Sequence, residues 1–321
     1  MRQRSFAWQT RVRGAIFFSL VFSLISWNRT AAQTGTIFWC EGNTGRIGRV
    51  LTDGSGMQII HTGLPGPVAV DVDPVNRHLY WVEAIENTGK IRRSDFDGTN
   101  VVDLVTNLDV PSGVSLDLVN EKMYWTTFDP FGGTAARANL DGTNPQTIAT
   151  GLLGGAWGIE ANPGGGKIYW GMPIGDLYWA NLDGTSPQVV YSDSNDNING
   201  VTVDPTGAGA LFFTSAFPVN KVYTADLAGG NAQTIALPPQ PQPLGIDYEP
   251  TLSLLVWANK FGANGNISSS KPNGSQFQVV LPGVDAFDVA VVPFAVPEPG
   301  TLALTMLGFA VLAGWARSRR R

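Results

Sequence analysis

The stretch that decides the fold runs from Val70 to Gly98: Val70-Asp71-Val72-Asp73-Pro74, then His78-Leu79-Tyr80-Trp81, then Ile91-Arg92-Arg93, then Asp97-Gly98. An apolar strand stopped by an acidic-Pro turn is followed by an aromatic strand, a third β-like run and an Asp-Gly hairpin signal that favours positive φ. Working outward, all three signals recur. The aromatic pair returns as Phe38-Trp39, Tyr124-Trp125, Tyr169-Trp170, Phe212-Phe213 and, degenerate, Val256-Trp257, the second members being 42, 44, 45, 43 and 44 residues apart. The hairpin pair returns at Asp53-Gly54, Asp141-Gly142, Asp183-Gly184, Ala228-Gly229 and Asn273-Gly274. The acidic-Pro strand returns at Ile159–Pro163, Val201–Pro205 and Ile246–Pro250, without its proline at Val114–Leu118, and last as Val289–Pro293.

A period of this size is that of one four-stranded propeller blade and of nothing helical. Six copies predict an all-β chain: a six-bladed β-propeller of four-stranded antiparallel blades. The copies are out of phase, because the chain starts on an aromatic strand, Thr36–Glu41, and ends on a lone inner strand, Phe287–Val292. The C-terminal strand is therefore expected to complete blade 1 and leave no exposed edge. Trp39, Tyr80, Trp81, Tyr124, Trp125, Tyr169, Trp170, Phe213 and Trp257 are read as inter-blade core.

Composition agrees. The 321 residues include 38 Gly and 21 Pro, only 15% are charged and 43% are hydrophobic, which excludes a disordered chain and a many-span membrane protein. The net charge of −5 averages basic ends against an acidic middle: Gln33 to Ala295 holds 12 Lys/Arg against 25 Asp/Glu, a net −13, which argues against a nucleic-acid partner. With one cysteine, Cys40, no intramolecular disulfide is available. Cys40 falls inside an aromatic strand, where a buried inert thiol is expected.

The ends read as addresses. Arg2, Arg4, Arg11 and Arg13 precede the apolar run Ala15–Trp27, and Thr30-Ala31-Ala32 offers small residues to signal peptidase, so 1–32 is read as an export signal, 33–293 as the propeller and 294–321 as a tail. In the tail, Pro297-Glu298-Pro299 leads into apolar Leu302–Ala316 and then Arg317-Ser318-Arg319-Arg320-Arg321. A 15-residue helix at about 1.5 Å per residue reaches roughly 22 Å, short of a ~30 Å hydrocarbon core, so transient inner-membrane insertion is expected. This tail closely resembles the PEP-CTERM sorting signal of exported bacterial proteins. The resemblance implies processing near Pro297-Glu298-Pro299 by the membrane transpeptidase exosortase, then delivery to the cell surface or extracellular matrix.

Over roughly residues 36–293 the repeats resemble the YWTD propeller repeats, the class B repeats of low-density-lipoprotein-receptor relatives. Ile47/Arg49, Ile91/Arg93 and Arg137 with Leu140-Asp141-Gly142 match the family's Ile-x-Arg-x-x-Leu-Asp-Gly. Trp179, Thr224 and Ser269 replace the arginine in blades 4 to 6, and the fourth motif position is Glu41, Glu83, Thr127, Met172, Ser215 and Asn259, never Asp.

Chemistry has few places to sit. There is no Gly-x-Ser-x-Gly elbow, phosphate loop or metal-spaced His pair, and the only histidines, His61 and His78, fall in turns of the reading. No cofactor is required on this reading. One inner-strand position, however, reads Asp71, Ser115, Glu160, Thr202, Asp247 and Ala290 around the ring. Asp71, Glu160 and Asp247, on alternate blades, are candidate ligands for Ca²⁺ or another hard cation in the central channel. Propeller lactonases resemble this in placing a metal there, so a metal-dependent hydrolase is the alternative to a non-catalytic binding protein. Asp193–Asn197 also looks cation-friendly, but Ile198 stands where an EF-hand-like loop needs Gly. Loops leading into the aromatic and the inner strands are expected to share one rim. Phe128, Phe131, Trp157, Phe217 and Phe261 are its candidate ligand-binding residues, suited to a protein or polysaccharide partner.

Overall fold

A computed structural model describes residues 34–206, 209–216, 218–235, 237, 241–294 and 296. The signal segment, Phe217, the Pro297-Glu298-Pro299 motif and the apolar run after it lie outside the described residues.

Six antiparallel sheets of four strands each form the ring. Their innermost strands are Asp288–Val292, Pro67–Asp73, Pro111–Asp117, Ile159–Asn162, Ile198–Val203 and Pro243–Glu249, in blades 1 to 6. Blade 1 is closed as the phase of the repeats predicts: Asp288–Val292 pairs antiparallel with the aromatic strand Thr36–Glu41, Val292 opposite Thr36 and Val289 opposite Trp39. Only two short 3-10 turns, Pro163–Gly165 and Gly262–Asn264, interrupt the β structure among the described residues.

The core is six separate seams, one between each pair of neighbouring blades, and the aromatic pair explains them. Successive strand residues point to opposite faces, and a blade buries both. Trp39 packs into the seam with blade 6 while Phe38 packs into the seam with blade 2. Trp125 and Tyr124 divide in the same way between the seams with blades 2 and 4, and Phe213 and Phe212 between those with blades 4 and 6. Trp39, Trp81, Trp170 and Trp257 are the largest fully buried side chains.

The other two tracks also have causes. Asp73 ends its strand by accepting the amides of Val75 and Asn76 at 2.9 and 3.0 Å, and Asp117 does the same for Val119 and Asn120. The hairpin Asp takes the amide and hydroxyl two residues on, as Asp97 does with Thr99 at 3.0 and 2.6 Å. The glycine that follows has φ 84° at Gly184, where an added Cβ would come within 2.1 Å of the Ile148 carbonyl oxygen in the preceding blade. The hairpin signal is therefore an inter-blade contact as well as a turn. Arginine is another: Arg49 donates to the Phe96 carbonyl at 3.3 Å and Arg137 to the Leu182 carbonyl at 2.9 Å, each in the next blade. His61 and His78 prove to be strand ends rather than turn residues.

Candidate functional site

Connections within a blade alternate between the two faces of the ring, and this corrects one expectation. Loops that leave the aromatic strands, such as 128–132 and 260–265, share a face with those that enter the inner strands, such as 153–158 and 283–287. Loops leading into the aromatic strands, such as 74–77, open on the opposite face. That second face also carries both ends of the described chain, because Thr36 starts and Val292 finishes their paired strands there.

A cavity of about 230 Å³ lies in the channel and opens toward the first face. All six inner strands line it, with Asp71, Ser112, Glu160, Asp247 and Asp288 among their residues, together with Trp157, Lys260 and Phe287 from the loops. Trp157 stands against Phe128, ring centroids 4.9 Å apart, and its indole N–H is buried without a hydrogen-bond partner. The Lys260 ammonium sits 4.0 Å from the centroid of Phe287. Phe131 and Phe261 belong to the same face and are 88% and 54% exposed, though neither lines the cavity.

The carboxylates are brought together, and each accepts at least one hydrogen bond. Asp71 accepts the amides of Val72 at 2.6 Å and of Leu116, in the next blade, at 2.7 Å. Ser115 donates to Glu160 at 3.1 Å and accepts the amide of Ala161 at 3.0 Å. Asp247 takes the amides of Tyr248 and, across the ring closure, Val291, both at 2.7 Å. In blade 1 the equivalent position is Ala290, whose side chain cannot accept; the link from this strand to blade 2 is made by Asp288, which accepts the Val70 amide at 3.0 Å. These side chains hold one inner strand to the next. Asp288 escaped the sequence reading because it lies two residues outside the aligned column.

Burial and mutual repulsion raise all four acids. Asp71 and Glu160 are pushed well above the usual carboxylate range, by desolvation first and then by the charge of neighbouring acids. Asp247 is raised to about 6 and Asp288 to about 7, in both cases chiefly by desolvation. Among the described residues no three of His, Cys, Asp or Glu are arranged so as to hold a metal ion.

Elsewhere the polar groups are structural. Asp196, in the 193–197 turn, accepts hydroxyls from Tyr191, from Ser215 at 2.9 Å and from Tyr223 at 3.1 Å. Glu83, at the fourth motif position, accepts the Trp81 indole and Arg92, each at 3.1 Å. Cys40 is fully buried and its thiol is raised well above its ordinary value by desolvation.

The fold is shared with solved structures of low identity. A chain in the crystal structure of a nidogen/laminin complex superposes with a TM-score of 0.69 at 19% identity, covering 82% of this chain and 100% of that one. TolB from Acinetobacter baumannii gives 0.65 at 14%, covering 81% and 66%, and a protein from Lactobacillus plantarum gives 0.56 at 11%, covering 81% and 99%. No curated protein matches the sequence. Among the described residues no helix is long and apolar enough to cross a membrane. Residues 295–321 match the PEP-CTERM protein-sorting motif, so the propeller carries the mark of an exported, membrane-processed protein.

Proposed function

We propose that the chain is an exported, non-catalytic binding protein of the cell surface or extracellular matrix, and that it takes a protein or polysaccharide on the face into which the central cavity opens. The observation that carries this reading is the separation of the two faces. The cavity, the Phe128–Trp157 pair and exposed Phe131 and Phe261 share one face, while the chain ends leave from the other. Processing and attachment of the tail would thus leave the first face free. Exposed aromatics beside a concave, partly polar site suit both ligand classes. A nidogen/laminin complex supplies a chain of like fold solved with a protein partner.

The metal-dependent hydrolase has less support, since Asp71 and Asp247 each already accept two backbone amides. Ca²⁺ in the channel remains an expectation of the acidic ring, and calorimetric titration of the purified propeller with Ca²⁺ tests it directly. For the binding reading, the purified propeller is used to capture partners from the envelope and exopolysaccharide of the source bacterium. A Trp157→Ala, Phe131→Ala double variant should lose at least about tenfold in apparent affinity, the effect of removing interface anchors. Equal capture by this variant and by the unaltered chain would remove this face from consideration.

A further inference from the structure

Phe294 and Val296, at the junction of the propeller and the sorting segment, are bonded to the propeller. The Thr36 hydroxyl, at the first position of the blade 1 aromatic strand, donates to the Phe294 carbonyl at 3.0 Å and accepts the Val296 amide at 2.9 Å. Thr36 is 1% and Val296 8% exposed, and Val296 lies in the apolar seam between blades 1 and 2 with Phe38, Val72 and Val292. Phe294 packs against the same seam, and the Arg77 guanidinium stands 5.9 Å from its ring centroid. Pro297, the first residue of the Pro-Glu-Pro motif, follows Val296 directly.

We propose that this grip is a gate on tail processing: the folded propeller competes with the membrane processing enzyme for Phe294 and Val296, and the enzyme acts on the fraction of molecules in which they are released. The inference rests on the reading that the tail is processed near Pro297-Glu298-Pro299. An enzyme that binds a peptide in extended form does so through main-chain N–H and C=O groups on either side of its site. Here a carbonyl and an amide just before the motif are both occupied by one buried side chain, and the side chains of Phe294 and Val296 pack against the seam. Processing at a rate set by the released fraction follows from the usual penalty on a competent state that is only partly populated. Both hydrogen bonds depend on a single hydroxyl, so one substitution opens the gate without touching the motif.

The test follows conversion of full-length precursor to its shorter form in the source bacterium, by pulse-chase, for the natural chain, Thr36→Val and Thr36→Ser. Valine keeps the β-branched shape and removes both bonds; serine keeps them. Loss of two hydrogen bonds of about 1 kcal/mol each should speed conversion roughly thirtyfold in Thr36→Val, with Thr36→Ser close to the natural chain. Phe294→Ala, which removes an anchor and leaves the hydroxyl, should also accelerate it. Equal rates in all four chains, or slower conversion in Thr36→Val with its melting temperature kept, overturn the gate and leave the processing reading standing. A natural chain that is never shortened overturns the processing reading, and the gate with it. Hydrogen exchange on the full chain supplies a readout independent of the enzyme: the Val296 amide should lose protection in Thr36→Val, and unchanged protection there also overturns the gate.

Discussion

Single residues hold the seams at points the repeat does not advertise. Asp196 is 4% exposed, and its carboxylate is the shared acceptor of Tyr191, Ser215 and Tyr223. Asp196→Ala should therefore strand two buried hydroxyls and a half-buried one and cost about 2–4 kcal/mol, a fall of roughly 5–10 °C in melting temperature. Asp196→Asn, which keeps an acceptor, should lose less, and equal losses in a thermal melt would show that the hydroxyls find other partners. Two glycines, one in a hairpin and one in an outer strand, make a second case. Gly184 and Gly151 both have positive φ, 84° and 71°, but a Cβ on Gly184 would strike the Ile148 carbonyl whereas one on Gly151 would meet nothing within 4 Å. Ala at 151 should cost about 1 kcal/mol from backbone strain alone, and Ala at 184 about 2 kcal/mol or more beyond that. Urea midpoints of the two variants measure the difference.

At the scale of elements, the strand Asp288–Val292 does most for closure. It supplies the inner edge of blade 1, packs Val289 and Val291 into the seam with blade 6 and Ala290 and Val292 into the seam with blade 2, and carries Asp288. A chain ending at Val284 loses that strand from two seams at once. It should lose at least several kcal/mol, the upper end of what local changes produce. A melting temperature equal to that of a chain ending at Val296 would refute closure as the source of stability. The first members of the aromatic pairs behave as elements too. An aromatic at that position looks redundant in a half-buried strand, yet Phe38, Tyr124 and Phe212 are nearly inaccessible because the next blade covers the other face. Six seams, not one core, are the reason the repeat demands two large side chains in succession.

For the whole molecule, the ring of acids makes stability depend on pH. Asp247 and Asp288, raised to about 6 and about 7, sit near 3.9 in an unfolded chain, so the folded state binds more protons between about pH 4 and 7. Their contribution is present below that window and is lost as pH rises through it. Asp53 and Asp97, held low by Ser55 and Thr99, act in the opposite sense and lose their contribution as pH falls below about 4. The melting temperature should therefore peak near pH 4–5 and decline toward pH 7.5, an acidic optimum for a chain with no resolved metal-holding cluster among its described residues. Asp247→Asn should flatten the decline whatever it does to the peak value. A profile rising toward neutrality, by calorimetry across this range, would mean that the four acids do not share one low-dielectric channel.

Much of this was legible in the residues themselves. Blade number, blade size and the out-of-phase closure follow from aromatic pairs, Asp-Gly turns and acidic-Pro stops, because each is a local chemical requirement that must be met once per repeat. The sorting tail is equally local, a motif followed by an apolar run and a basic end. Tertiary structure alone decided which groups the acids bond to. Asp71, Glu160 and Asp247 share a column in the sequence, but only the ring shows that Asp71 and Asp247 each accept an amide of the neighbouring blade while Glu160 accepts the Ser115 hydroxyl. Asp288 joins them only through the ring closure, which brings it to the Val70 amide across 218 residues of chain. The Thr36 grip on Phe294 and Val296 is likewise invisible in order of residues, since it joins the two ends of the propeller through a ring that exists only once all six blades have closed.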